Sequence, residues 1–368
     1  MESINKKNFM TLNFDIKKTY IIAEAGVNHN GKLSLAKKLV LKAKKTGADA
    51  VKFQTFHTES LVTKFAIQAP YQIKNMKKKE KQFNMLKRYE LKNKDYFQLK
   101  KLCKKNKIDF ISSVFDENSV SFLLNKLNLK VIKLPSGEIN NFLILKKLKL
   151  SNYKILISTG MSNYQDIVNV LNTISNKKIY KFKEGKITFK NSKELKKLKK
   201  NICIMHCVTD YPVKYNQANL KCIDNIIKDF NLITGYSDHT LGTQASLIAV
   251  AKGAKVIEKH FTLSKKMKGP DHLASLEPEE FSKMVKNIRE FEIMNGDGKK
   301  KLQKCEIQNS KVAKKSIVAK VLINKNEKFT YKNLTVKRPG TGLNPFMIKK
   351  LINKKSKKKY YPDQLITK

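Results

Sequence analysis

Short apolar runs alternate along this chain with longer stretches whose apolar residues recur every three or four positions. The runs Thr19–Ala23, Ala50–Gln54, Ile108–Ser112, Val131–Leu134, Ile155–Ser158, Ile202–His206, Ile233–Tyr236 and Val256–His260 have the length of buried strands. Leu33–Lys45, Lys92–Lys104, Ser119–Leu127, Met161–Ile174, Leu220–Phe230, Thr243–Lys252 and Pro278–Met294 carry the helical spacing. This alternation predicts an α/β fold, a (β/α)8 barrel over residues 1–295. A doubly wound sheet would alternate too, but it usually has fewer units and a phosphate loop after its first strand.

The polar residues decide between the two. Glu24, Lys52 with Gln54, Ser113 with Asp116, Lys133 with Ser136 and Glu138, Ser158, His206, Ser237 with His239, and Glu258 with His260 fall in or just after the carboxyl ends of successive runs. A closed barrel brings such positions to one mouth, whereas an open sheet scatters them.

Two segments interrupt the rhythm. Phe56–Leu91 is too long for a simple connection and is expected to cover the mouth or a partner subunit. Lys177–Lys200 is lysine-rich and is expected to be a solvated excursion. Glycines and charges mark residues 296–311 as a linker, after which residues 312–368 show short alternating runs, SIVAKVLI and FTYKNLTVKRPG. So short a module buries little core alone and should dock on something larger.

Composition changes the picture less than its extremes suggest. The 368 residues carry 77 Lys+Arg against 30 Asp+Glu, a formal charge of +47, which points toward polyanions. Yet the only arginines are Arg88, Arg289 and Arg338, and the lysines are spread over nearly the whole chain without an organising motif. Specific nucleic-acid readers lean on the guanidinium fork, so no specific nucleic-acid partner is expected. Cys103, Cys203, Cys207, Cys222 and Cys305 lack CxxC spacing and read as reduced thiols. No apolar run approaches membrane-spanning length and the opening MESINKKNFMTLNFDIKK has no apolar segment of a secretory signal. A cytoplasmic protein without a membrane partner is the expectation.

His239 and His260, at the ends of the last two strands, are either buried hydrogen-bonding histidines or ligands of a divalent first-row ion. Lys52 and Lys133 each interrupt an apolar strand, which a solvated lysine would not do. Cys207 beside His206 brings no acyl-transfer constellation with it.

The motifs IIAEAGVNHNG (Ile21–Gly31), VKFQTF (Val51–Phe56), KLPSGEI (Lys133–Ile139), STGM (Ser158–Met161), HCVTDYP (His206–Pro212), GYSDHTLG (Gly235–Gly242), EKHFTL (Glu258–Leu263), GPDHLASLEP (Gly269–Pro278) and KRPGTGL (Lys337–Leu343) occur in this order over nearly the whole chain. Jointly they resemble the sialic acid synthases of the N-acetylneuraminate and N,N'-diacetyllegionaminate type. The resemblance implies a TIM barrel followed by a small antifreeze-like (SAF) domain of β-clip type, and a domain-swapped homodimer. It implies a transferase that condenses phosphoenolpyruvate with an open-chain N-acylated hexosamine, giving a nine-carbon 2-keto acid and phosphate.

By position in these motifs, the resemblance assigns Glu24 to proton transfer and His239 and His260 to catalysis through a divalent metal, Mn²⁺ favoured, with Mg²⁺ or Co²⁺ as alternatives. Lys52, Lys133, Ser136, Ser158 and Ser237 correspond to phosphoenolpyruvate contacts. Gln54, Glu138, Thr209, Tyr211, Asp271 and Arg338 correspond to sugar contacts, Arg338 reaching the N-acyl group from the other subunit. Members vary between asparagine and threonine at the position of Thr209, which leaves the sugar open. N-acetylmannosamine giving N-acetylneuraminate is the leading expectation, 2,4-diacetamido-2,4,6-trideoxymannose giving N,N'-diacetyllegionaminate the alternative, and a non-catalytic polyanion-binding barrel the reading from another class. His29 and Asn30 are expected to shape the mouth, His206 to stand behind it, and His57 and His272 are secondary candidates.

Overall fold

A computed structural model describes residues 18–150 and 153–367 of the chain. Most of the opening segment, residues 1–17, lies outside the described residues. Eight parallel strands close into a barrel: β1 (Tyr20–Gly26), β2 (Ala50–Thr55), β3 (Asp109–Val114), β4 (Val131–Leu134), β5 (Lys154–Ser158), and, after a hairpin β6 (Tyr180–Lys183) and β7 (Lys186–Phe189), β8 (Ile202–Cys207), β9 (Ile233–Asp238) and β10 (Val256–His260). β10 pairs with β1 and shuts the ring.

The strand side chains alternate between two environments. Outward residues such as Ile21, Val51, Phe110, Ile132, Ile155, Ile204 and Ile257 join the helices in the main core. Inward residues form a second, smaller core at the amino-terminal half, with Ile22, Ala50, Ile111, Val131, Leu156, Cys203 and Val256. Two residues further along the same strands the inward character turns polar, to Glu24, Lys52, Ser113, Lys133, Ser158 and Glu258. A period of two therefore stacks a charged layer on an apolar plug.

Several elements depart from the pattern read in the sequence. A helix over Phe142–Lys147 follows β4 where none was expected; at six residues it is too short to show helical periodicity. The predicted helix Ser119–Leu127 begins at Glu117 and passes into a wider π-type turn at Phe122–Lys126. The excursion after β5 is not wholly solvated. Tyr180 is buried and donates to the Phe230 carbonyl at 2.7 Å, and the helix Lys193–Asn201 buries Leu195 and Leu198.

The long connection after β2 folds into three helical pieces, Thr58–Leu61, Pro70–Met76 and Gln82–Tyr89. Met85 and Tyr89 pack with Val27 and Phe56 in a satellite cluster. Gly31 fixes this seat: a β-carbon there would stand 2.1 Å from the Arg88 carbonyl oxygen, and its φ of +70° favours glycine.

The chain divides into two compact units between Asn295 and Gly296. In the second, β11 (Ser316–Ala319) and β12 (Leu334–Lys337) pair antiparallel over a core of Ile317, Ala319, Ile323, Phe329, Leu334, Tyr360 and Ile366. The segment expected as a plain linker ends in the helix Ile307–Ala313, whose Lys311 carbonyl accepts from the Gly340 N–H at 2.7 Å. Among the described residues no helix is long and apolar enough to cross a membrane.

Candidate active site

Strand register sets the first contacts. Glu24 on β1 stands opposite Lys52 on β2 and His260 on β10, while Glu258 stands opposite Ser237 on β9. The charged layer this creates is buried and tightly paired. Lys52 Nζ lies 2.7 Å from Glu24 Oε2, donates to Ser113 Oγ at 2.8 Å and sits 3.8 Å from Glu258 Oε1. Lys133 Nζ donates to Glu258 Oε2 at 2.8 Å, and Ser237 Oγ donates to Glu258 Oε1 at 3.0 Å.

These residues floor a cavity of about 380 Å³. Every barrel residue to which the resemblance gives a catalytic, phosphoenolpyruvate or sugar role lines it: Glu24, Lys52, Gln54, Lys133, Ser136, Glu138, Ser158, Thr209, Tyr211, Ser237, His239, His260 and Asp271. Gln54 Nε2 donates to Glu24 Oε1 at 3.2 Å, and Asn141 Nδ2 donates to Glu138 at 2.7 Å. Gly26, at φ +48°, leaves the space between Glu24, Gln54 and Asp271 open; a β-carbon would come within 3.2 Å of Glu24 Oε1. Ser136 Oγ accepts from the Gly160 N–H at 3.0 Å. Arg338 lies in the second unit, where its Nε donates to the Ala313 carbonyl at 3.1 Å.

Charge states follow from burial and pairing. Burial raises the Glu24 carboxyl, opposed by Lys52. Burial beside Glu24 pushes Asp271 up to about 7. Glu258 overcomes its burial through Lys133 and Lys52 and is held down at about 2. Burial, reinforced by neighbouring His239, holds His260 well below the ordinary histidine value, so its ring stays neutral.

The two imidazoles fit a divalent cation. Their ring centroids are 5.5 Å apart, and the Tyr211 ring packs at 4.2 Å from His239 and 5.5 Å from His260. His239 Nδ1 donates to the Val208 carbonyl at 2.7 Å, so in the neutral ring the lone pair lies on Nε2, although burial, which lowers this imidazole, is overcome by Cys207, which raises it above the ordinary histidine value. His260 Nδ1 is buried without a hydrogen-bond partner, a cost a ligand would remove. Among the described residues no group of three or more His, Cys, Asp or Glu is placed to hold a metal ion, so a cation held by the two imidazoles would need further ligands from substrate oxygens or water.

Glu258 is the central residue that the motif reading did not assign, although its place in the inward register of β10 marks it. Cys207 lines the cavity as well, 3.7 Å from His239 Nδ1 and from Ser136 Oγ. The other histidines stand apart from it. His206 bonds the Ala218 carbonyl and stacks on Tyr236; His57 lies 3.6 Å from Asp116. His272 bonds Thr262 and Asn30, and His29 accepts from the Gly31 N–H, so His29 and Asn30 brace loops and do not line the cavity.

Residues 39–300 match the NeuB family. The chain belongs to that family of sialic acid synthases. This NeuB-family chain is similar to a Campylobacter jejuni protein named N,N'-diacetyllegionaminic acid synthase, 45% identical over 351 residues that cover 95% of this chain and 99% of the relative. A Legionella pneumophila protein of the same name is 40% identical, covering 90% of this chain and 89% of the relative. Among solved structures, an N-acetylneuraminic acid (sialic acid) synthetase from Leptospira borgpetersenii superposes with a TM-score of 0.65 at 28% identity, over 79% of this chain and 90% of that one. The NeuB-family chain is therefore a transferase-type condensing enzyme of sialic or legionaminic acid synthesis.

Proposed function

We propose that this chain condenses phosphoenolpyruvate with open-chain 2,4-diacetamido-2,4,6-trideoxymannose, giving N,N'-diacetyllegionaminate and phosphate. The observation that carries the reaction is the pair of buried ammonium groups, Lys52 and Lys133, on the floor of a cavity that also holds His239 and His260. Two lysines and the hydroxyls of Ser136, Ser158 and Ser237 supply charge and directional donors for a phosphate ester and its carboxylate. C3 of the enol phosphate attacks the aldehyde carbon, whose oxygen takes up a proton to become a hydroxyl. Water adds at C2 with loss of a proton, and the C2–O bond breaks to release phosphate, which carries away the C2 hydroxyl proton and leaves the 2-keto group. Glu24, raised by burial yet paired with Lys52, takes the proton of that water. His239 and His260 would hold the divalent cation, Mn²⁺ favoured, which when bound supplies Lewis-acid polarisation of the aldehyde.

The sugar reading rests on the upper cavity and on the names of the two similar synthases. Phe56, Leu61, Val62, Met85, Leu86 and Phe115 line it, a surface suited to the C6 methyl and the acyl methyls of a deoxy diacetamido sugar. Despite the charge of +47, the only lysines or arginines among the described lining residues are Lys52 and Lys133, both already paired with carboxylates. A 6-phosphorylated sugar would find no further cation at its distal end among the described lining residues. Gln54, Glu138, Thr209, Tyr211 and Asp271 would bind the sugar's polar edge, and Arg338 its N-acyl oxygen from a second copy in a homodimer.

Chelator-treated protein reloaded with Mn²⁺ should release phosphate from phosphoenolpyruvate only when a suitable sugar is present. The diacetamido-trideoxy sugar should outperform N-acetylmannosamine, and N-acetylmannosamine 6-phosphate should be poorest. Preference for the phosphorylated sugar would overturn the substrate assignment; no nine-carbon product by mass spectrometry with any of the three would overturn the reaction.

A further inference from the structure

We infer that Asp238 and Lys259 form a positioning pair that aims His239 and His260 at their cation; this rests on the metal reading above. The two residues are register partners on β9 and β10, and each immediately precedes one of the imidazoles. Lys259 Nζ lies 2.9 Å from Asp238 Oδ2, with both side chains wholly excluded from solvent. They face outward from the barrel, away from the cavity, so neither can touch substrate.

What the pair holds is the main chain around His239. Asp238 Oδ1 accepts from both the N–H and the hydroxyl of Thr240, each at 2.8 Å, and Asp238 Oδ2 accepts from Ser246 Oγ at 2.6 Å. Lys259 Nζ donates to the Thr240 carbonyl at 2.5 Å as well as to Asp238. Thr240 is thereby fixed through its donor, its acceptor and its side chain, one residue beyond His239, while Asp238 is fixed one residue before it. The His239 carbonyl accepts from Val213 N at 2.9 Å, and the His260 carbonyl accepts from Leu276 N at 2.8 Å. With Val208 holding the ring, His239 has no free rotation left at its backbone or at Nδ1.

A stability role alone does not account for this choice of residues. The neighbouring outward positions Tyr236 and Ile257 belong to the apolar core, and a hydrophobic pair at 238 and 259 would be about as stabilising as a fully desolvated ion pair. An ion pair adds direction: it ties β9 to β10 at the level of the imidazoles and to the loop that follows one of them. Metal ligands need such support, since loss of an outer hydrogen-bond partner typically weakens metal binding about 10–100-fold.

The test is calorimetric titration of Mn²⁺ alone into chelator-treated full-length protein. Asp238→Asn combined with Lys259→Met keeps an acceptor for Thr240, keeps side-chain volume and leaves no unpaired buried charge. It should weaken Mn²⁺ affinity at least about tenfold, while far-UV circular dichroism at 25 °C and metal-free phosphoenolpyruvate binding stay as in the parent. Should that variant fail to fold, Ser246→Ala removes one bond to Asp238 and leaves the charges paired, and a two- to fivefold weakening is expected. A folded variant with a lowered melting temperature but Mn²⁺ affinity within twofold of the parent overturns the inference and makes the pair purely structural. A parent protein that takes up no Mn²⁺, or whose uptake survives His260→Ala undiminished, overturns the metal reading and the inference with it.

Discussion

Lys133 Nζ stands 2.8 Å from Glu258 Oε2 in the middle of the barrel, and neither side chain reaches solvent appreciably. Glu258 also faces Lys52 at 3.8 Å, a lysine whose nearer carboxylate is Glu24 at 2.7 Å. Glu258→Gln should therefore destabilise the chain by about 3–5 kcal/mol, because buried Lys133 loses its carboxylate partner and Lys52 the more distant of its two. Phosphoenolpyruvate should raise the melting temperature of this variant more than that of the parent, its anionic groups replacing the missing charge. Differential scanning fluorimetry with and without phosphoenolpyruvate measures both effects; equal ligand-induced shifts would argue against binding at these lysines.

Acid should weaken the barrel through His29 and His272. Burial lowers both rings from the usual 6.5 to about 4. Because the folded values lie below the unfolded one, the stability from keeping them neutral is full above about pH 6.5. It is lost progressively as pH falls from there and is gone below about 4. Urea unfolding at pH 7, 5.5 and 4.5 should show this decline, and His272→Gln should flatten it.

Removal of either imidazole should loosen the cation. His239→Ala and His260→Ala should each lower Mn²⁺ affinity by more than about tenfold and depress turnover sharply with the fold retained. Calorimetry on chelator-treated protein gives the answer, and unchanged affinity in both variants would remove this pair from the ligand set.

Arg338→Ala and Glu24→Ala proteins, each inactive alone, should recover activity when mixed under conditions that exchange subunits. One site of the mixed dimer would then contain both intact residues. Native mass spectrometry with differently tagged chains measures the heterodimer fraction that bounds the recovery. Abundant heterodimer without activity would rule out the cross-subunit role of Arg338.

The barrel was legible in the sequence because each strand must bury both faces, which compresses it into a short apolar run, and because its charged interruptions fall at one end. Lys52 and Lys133 stood out for that reason. Glu258 was placed at the mouth but given no role, since EKH sets three polar residues in succession, and only the register separates inward Glu258 and His260 from outward Lys259. The helix Phe142–Lys147 escaped because it spans fewer than two turns. The roles of Asn30 and His272 were hidden by distance along the chain: Asn30 meets His272 across 242 positions, a pairing that no local spacing encodes.

The apolar plug of Ile22, Ile111, Leu156 and Val256 beneath the lysines closes the cavity at its floor. Whatever sits on the lysines must enter before the sugar arrives above it and depart after the sugar's product has cleared the way. Steady-state kinetics should accordingly be ordered, phosphoenolpyruvate first in and phosphate last out, with phosphate competing against phosphoenolpyruvate alone.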